Sequence, residues 1–180
     1  MIFPRLGAMH RSVATWDLEA LGAQWLAYTD TVVEPASATW PTANKALYIP
    51  FALSEPATVT RCWVVNGGTA SGNLDIGVYD ADGVLLVSSG ATAQAGTSAI
   101  QAVNVTDTLL GRGLFFLGLS HSSAAGTYAR ITTPSVTASR AAGVLEQTSA
   151  HPLPAVAAFV AVSTTYLPLC GLTLAPVTVP

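Results

Sequence analysis

The chain has 180 residues, of which 9% are charged and 51% hydrophobic, with a net charge of −3. Ordinary globular domains carry roughly 25% charged residues, so a free monomer of this composition has few charges to hold it in solution. It is either a membrane protein or a domain that covers much of its surface with copies of itself or with neighbours. The 7 basic residues include one lysine, Lys45, and scattered arginines, which excludes an electrostatic nucleic-acid binder built on clustered Lys and Arg.

This length suits one domain with a real core plus an arm. The boundary is placed between residues 44 and 45. Residues 1–44 hold three of the 4 tryptophans, Trp16, Trp25 and Trp40, and run out through the loop-like "EPASATWPTANK". The opening "MIFPRLGAMHRSVATWDLEALG" is not patterned as a secretory signal, because Asp17 and Glu19 fall where its apolar core would sit. Folding in a cytoplasm is therefore expected. Leu18, Leu21 and Trp25 fall near one helical face and predict a short helix over 16–26, although Gly22 interrupts it and no capping box precedes it. A Trp-rich, Pro-bounded segment of this kind suits a docking arm, with Trp16 and Trp25 buried against a neighbour.

From Lys45 the pattern is β. Strands are predicted at 46–53, 57–65, 73–80, 84–89, 99–105, 114–121, 127–132 and 143–148, with one or two more within 156–175. "DADG" at 80–83 reads as a tight hairpin turn in which Gly83 takes a positive φ, and "NGGTASGN" at 66–73 as a longer, flexible connection. In "NLDIGVYD" Leu74, Ile76 and Val78 share one face and Asp75, Gly77 and Tyr79 the other, as in a strand buried on one side. "LFFLGL" is apolar on both faces, so it should be central or covered on its outer face by another chain. Short strands with turn signals at this spacing predict an all-β fold, an antiparallel jelly-roll-like β-sandwich over 45–180.

After Glu146 no charged residue appears. Pro152, Pro154, Pro168 and Pro176, with interspersed Ser and Thr, break this stretch into strands and turns, and no run of about 20 apolar residues remains to span a membrane.

No catalytic constellation is visible. "GLSHS" at 118–122 misses the nucleophile elbow by having Ser122 where Gly belongs and no helix after it. Ser120 and His121 are adjacent, so a strand points them to opposite faces. His10, His121 and His151 have no ligand spacing, and Asp80 and Asp82 lack the later oxygens of a calcium loop. Neither a metal nor an organic cofactor is expected. Cys62 and Cys170 lie in apolar segments and read as buried, reduced thiols. "NVT" at 104–106 matches a glycosylation sequon and, without a secretory signal, is read as coincidence. Trp40, Trp63, Tyr79 and Tyr128 offer the one binding feature, stacking on sugar rings from a sandwich face. The competing reading has Trp63 in the core and Trp40 anchoring the arm.

Residues 55–120 resemble a β-rich module of tailed-bacteriophage virion proteins of the minor-tail or tail-fibre-like kind. The shared features are the "NGG…SGN" loop, the "DIGVYD" strand, the link "GATAQAGTS" and the closing strand "GLFFLGL". With "ATWPTANKALYIPF" before and "GVLEQTSAHPLPA" after, the likeness extends over most of the chain. The resemblance implies a structural subunit assembled in the host cytoplasm and located in the virion, in tail tip, fibre or capsid exterior. Its partners would be copies of itself, in a trimer by analogy, and other virion proteins. The alternative is a carbohydrate-binding sandwich that recognises a host surface glycan through Trp40, Tyr79 and Tyr128.

Overall fold

The computed structural model describes residues 11–14, 36–133 and 135–176. Among the described residues, fourteen strands and one short helix follow in chain order. The strands are β1 (Arg11–Ala14), β2 (Ala36–Thr39), β3 (Ala46–Leu53), β4 (Ala57–Val65), β5 (Asn73–Asp80), β6 (Leu85–Ser88), β7 (Thr92–Ala93), β8 (Ile100–Leu110), β9 (Gly113–His121), β10 (Thr127–Thr132), β11 (Leu145–Gln147), β12 (Val160–Ala161), β13 (Tyr166–Pro168) and β14 (Cys170–Pro176). Helix α1 (Val136–Ala141) starts where the Ser135 hydroxyl accepts the Ala138 N–H.

All named strand pairs are antiparallel. A seven-stranded sheet runs β12-β11-β3-β9-β5-β6, with β7 beside β5; a four-stranded sheet runs β1-β14-β4-β8, and a three-stranded one β13-β10-β2. The sheets pack against one another as an all-β sandwich. The main core is filled from the large sheet by Leu47, Ile49, Leu74, Ile76, Val78, Leu117 and Leu119, and from the four-stranded sheet by Val59, Cys62, Val64, Leu172 and Leu174. Strand alternation delivers these side chains, since residues two apart share a face.

The predicted strands at 46–53, 57–65, 73–80 and 127–132 match β3, β4, β5 and β10 end to end. The 99–105 strand continues to Leu110 as β8, and the region 156–175 holds parts of three strands, not two. The folded unit begins earlier in the chain than the sequence suggests. β2 pairs with β10 and Trp40 is buried, so 36–44 belong to the folded unit, and β1 pairs with β14. Trp16, Trp25 and the predicted helix lie outside the described residues.

β5 departs from the one-sided expectation. Asp75 and Tyr79 are as buried as Ile76 on the opposite face. The cause is the segment 150–161, which crosses the outer face of the large sheet and closes a second cluster of Tyr48, Tyr79, Phe116, Leu153 and Ala157. The same segment explains β9. It is central, between β3 and β5, and its outer face is covered by its own chain. Gly118 lies under the Tyr48 and Tyr79 rings, where a Cβ would meet Tyr79 Cε2 at 2.9 Å, so only glycine admits both rings.

The turns form for the expected reason in one case and another reason in the second. Asp80 Oδ1 accepts the N–H of Asp82 (3.0 Å) and Val84 (2.8 Å), and Gly83 takes φ 83°. The 66–73 connection is tied down. Asn66 donates to Ala95 O and Gln101 Oε1, Gln94 donates to Asn66 Oδ1 and Thr127 O, and Ser71 N–H donates to Gln94 Oε1.

Candidate functional site

The aromatics read as a stacking platform are interior. Trp40, Tyr79 and Tyr128 are 1%, 0% and 0% exposed. Trp40 meets Tyr128 and Tyr166 edge-on at 5.5 and 5.6 Å between ring centroids, and its Nε1 donates to Lys45 O at 3.0 Å. Tyr79 stands edge-on to Tyr48 at 5.2 Å and donates its hydroxyl to Pro154 O at 2.7 Å. Burial pushes the phenols of Tyr79 and Tyr128 up. These three residues are therefore corrected from partner contacts to core. Trp63 moves the other way: Cys62 and Val64 point inward, so Trp63 lies half-buried on the outer face of β4.

Ser120 and His121 do leave β9 on opposite sides. On the main-core side, His121 packs edge-on to Tyr128 at 5.4 Å between ring centroids, with Nδ1 2.6 Å from Ser123 O. Its Nε2 is buried without a hydrogen-bond partner. On the outer side, Ser120 Oγ lies 3.0 Å from His151 Nδ1, and Asp75 stands opposite Ser120 across the β5–β9 ladder.

Folding thus assembles a serine, a histidine and an aspartate that are scattered in sequence. The arrangement has the parts of a nucleophile relay without its order. Asp75 accepts Leu153 N–H at 3.0 Å and Ser89 Oγ–H at 3.3 Å. Ser120 is fully buried, out of reach of a substrate. What the geometry does is fasten the covering segment, together with the Tyr79–Pro154 bond and the backbone bonds Leu85 N to Ala155 O and Ala157 N to Gly83 O.

Cys62 and Cys170 are buried on adjacent strands of the four-stranded sheet and are not joined in a disulfide. Burial, with Asp75 adding to it, pushes the Cys62 thiol up to about 12, and burial likewise raises Cys170, so both are protonated and unreactive at neutral pH. Among the described residues no group of three or more His, Cys, Asp or Glu could hold a metal ion, and no helix is long and apolar enough to cross a membrane.

Among the described residues several large apolar side chains are exposed. Val84, Leu86, Val156 and Val160 are exposed around the covering segment and β6, where Val84 and Val156 are bridged. Ile100 and Leu109 are exposed on β8, and Leu114 at the start of β9. On the outer face of the four-stranded sheet a shallow depression is lined by Thr60, Arg61, Asn104, Val105, Asp107 and Thr173, with Arg61 Nε donating to Asn104 Oδ1 at 2.9 Å. No family model, curated protein or solved structure matches the chain.

Buried His121 and half-buried His151 should make the fold acid-sensitive. Burial lowers the pKa of His121, His151 lowers it further, and the Ser123 carbonyl partly offsets both; Trp40 and Tyr128 offer it no countercharge. Burial also lowers His151, against the opposing pull of Asp75. The folded state thus disfavours protons that the unfolded chain accepts near pH 6.5. Stability is full above that value and falls as pH drops through it toward the folded values. One such group contributes a slope of no more than about 1.4 kcal/mol per pH unit, and His151, nearer water, adds less than His121. Thermal midpoints measured from pH 7.5 to 5 should decline, and His121→Gln should flatten the curve; a flat wild-type profile would overturn this.

Proposed function

We propose that this chain is a structural subunit of a bacteriophage virion, a minor tail, tail-tip or fibre, or capsid-exterior component. It works through self-association and contacts with other virion proteins, in a particle assembled in the host cytoplasm. The observation that carries this reading is the exposed apolar surface of Val84, Leu86, Val156, Val160, Ile100 and Leu109 on a chain with 9% charged residues. Surfaces of this kind on a folded domain mark contacts with other proteins. The likeness of residues 55–120 to virion modules supplies the setting, and a jelly-roll-like winding of the sandwich is part of the same proposal.

The glycan-binding alternative loses its platform with Trp40, Tyr79 and Tyr128 in the core. Of the four aromatics offered for stacking it retains half-buried Trp63, on the same strand face as Arg61. Sedimentation equilibrium of the purified chain should give a mass above 18.4 kDa that grows with concentration. A single monomer species from micromolar to near-millimolar concentration would remove the self-association reading, and reproducible binding on a glycan array would favour the alternative.

A further inference from the structure

β8 is the outer strand of the four-stranded sheet, paired with β4 on one side and, among the described residues, with no strand on the other. Two backbone bonds fix which of its groups are used. Val65 N–H donates to Leu169 O on the β14 side, and Asn66 N–H donates to Ala99 O on the β8 side. Antiparallel ladders alternate residue by residue, so Val64 and Cys62 address β8, and their opposite numbers Gln101 and Val103 return those bonds. Ile100, Ala102 and Asn104 therefore aim their N–H and C=O groups at the open edge. The side chains of all three are exposed on the sheet's outer face.

Natural sheet edges are guarded by lysine, proline, inward charge or a bulge. Residues 100–104 carry none of these. The guard begins only beyond them: the ladder shifts between Arg61↔Asn104 and Val59↔Thr108, so that Val105, Thr106 and Asp107 bulge opposite Thr60, with Asp107 supplying a charge. Among the described residues no strand pairs with the half-strand before the bulge on its outer side.

We propose that residues 100–104 form a two-fold interface with a second copy of this chain, antiparallel, with Ala102 facing Ala102 and Ile100 facing the partner's Asn104. The self-complementarity of the edge selects this occupant. Under a two-fold axis through Ala102 every outward donor of one copy meets an outward acceptor of the other, and the side chain on the axis is small enough for the strands to approach. No other register within 100–104 satisfies all the outward groups. The pairing joins two four-stranded sheets into one, covers Ile100, which is 69% exposed in the single chain, and is isologous and closed. It replaces the trimer implied by the resemblance with a pair as the basic unit. The inference rests on the reading of the domain as a self-associating subunit and supplies its partner and register.

The test is charge placed on the axis, read by sedimentation velocity on the full chain. Ala102→Lys sets like charges directly opposite each other and should convert a pair of twice 18.4 kDa to monomer with its thermal midpoint unchanged. Ala102→Glu alone should do the same, and mixing the two variants should restore the pair as a heterodimer. Ala102→Pro removes only an edge-directed N–H and leaves the β4 ladder intact, so it too should give a folded monomer. In the wild type, amide exchange at Ile100 and Asn104 should be slowed at least 100-fold, and released by Ala102→Pro. If the wild type associates but all three variants associate equally, the interface lies elsewhere and only this inference falls. A wild type that is monomeric throughout would overturn both this inference and the self-association reading.

Discussion

Replacing Lys45 with Met should cost about 3 kcal/mol of stability at pH 7, the scale for stranding one partner of a buried ion pair. Lys45 and Glu146 are 7% and 6% exposed, and Nζ lies 3.0 Å from Oε2. The pair joins the start of β3 to β11, and Ser163 completes it, donating its N–H to Oε2 at 3.1 Å and its hydroxyl to Oε1 at 2.7 Å. Burial raises the Glu146 pKa, but the Ser163 bonds and Lys45 together outweigh it and hold the carboxyl below its ordinary 4.5. The pair's contribution is therefore complete above pH 4.5 and is lost as pH falls through the lower folded value. The Lys45→Met deficit should follow it, large in urea titrations at pH 7 and shrinking in acid, where a neutral Glu146 needs no cation. Adding Glu146→Gln should recover most of the loss at pH 7, since removing both charges leaves nothing stranded. A deficit under about 0.5 kcal/mol at pH 7 would mean that the pair behaves as a solvated surface one.

Most of the strand pattern was legible because it depends on local alternation and turn chemistry. "DADG" needs only Asp80 and Gly83 to close, and β3, β4, β5 and β10 match because their apolar residues recur at a period of two. What local pattern does not carry is coverage at a distance. Nothing near "NLDIGVYD" says that the segment 150–161 will lie over Asp75 and Tyr79, since that contact spans more than seventy residues. The meeting of Ser120 with His151 was hidden for the same reason. One signal was present and missed. In "TRCWVV" Arg61 and Trp63 share a face and Cys62 and Val64 the other, and an arginine on Trp63's face marks it as outward. The two tryptophans were thereby exchanged, Trp63 read as core and Trp40 as anchor. The edge groups of β8 follow from ladder parity, which no single-strand pattern contains.

Trp40 decides how far the folded unit reaches toward the N-terminus, and Trp40→Ala should cost about 4 kcal/mol, within the range for emptying a large aromatic site. Its ring fills the space among Tyr128, Tyr166 and His121 on the side opposite the covering segment. β2 delivers it there by pairing with β10, Thr39 opposite Thr127, and the Trp40 N–H donates to Gly126 O at 2.9 Å. The vacancy would be walled by the rings of Tyr128, Tyr166 and His121. A cavity that cannot close keeps its full cost, and the midpoint of thermal unfolding should fall by on the order of 10 °C. Trp40→Phe separates shape from hydrogen bonding: it keeps an aromatic ring but leaves Lys45 O without the Nε1 donor, a loss of about 1–3 kcal/mol. Self-association, read by sedimentation on the Phe variant while it remains folded, should be unchanged, because the side chain touches no exposed surface. An anchor residue on an arm would show the reverse, with stability within about 0.5 kcal/mol of wild type and association weakened, and that outcome would return Trp40 to the partner-contact role from which its burial removes it.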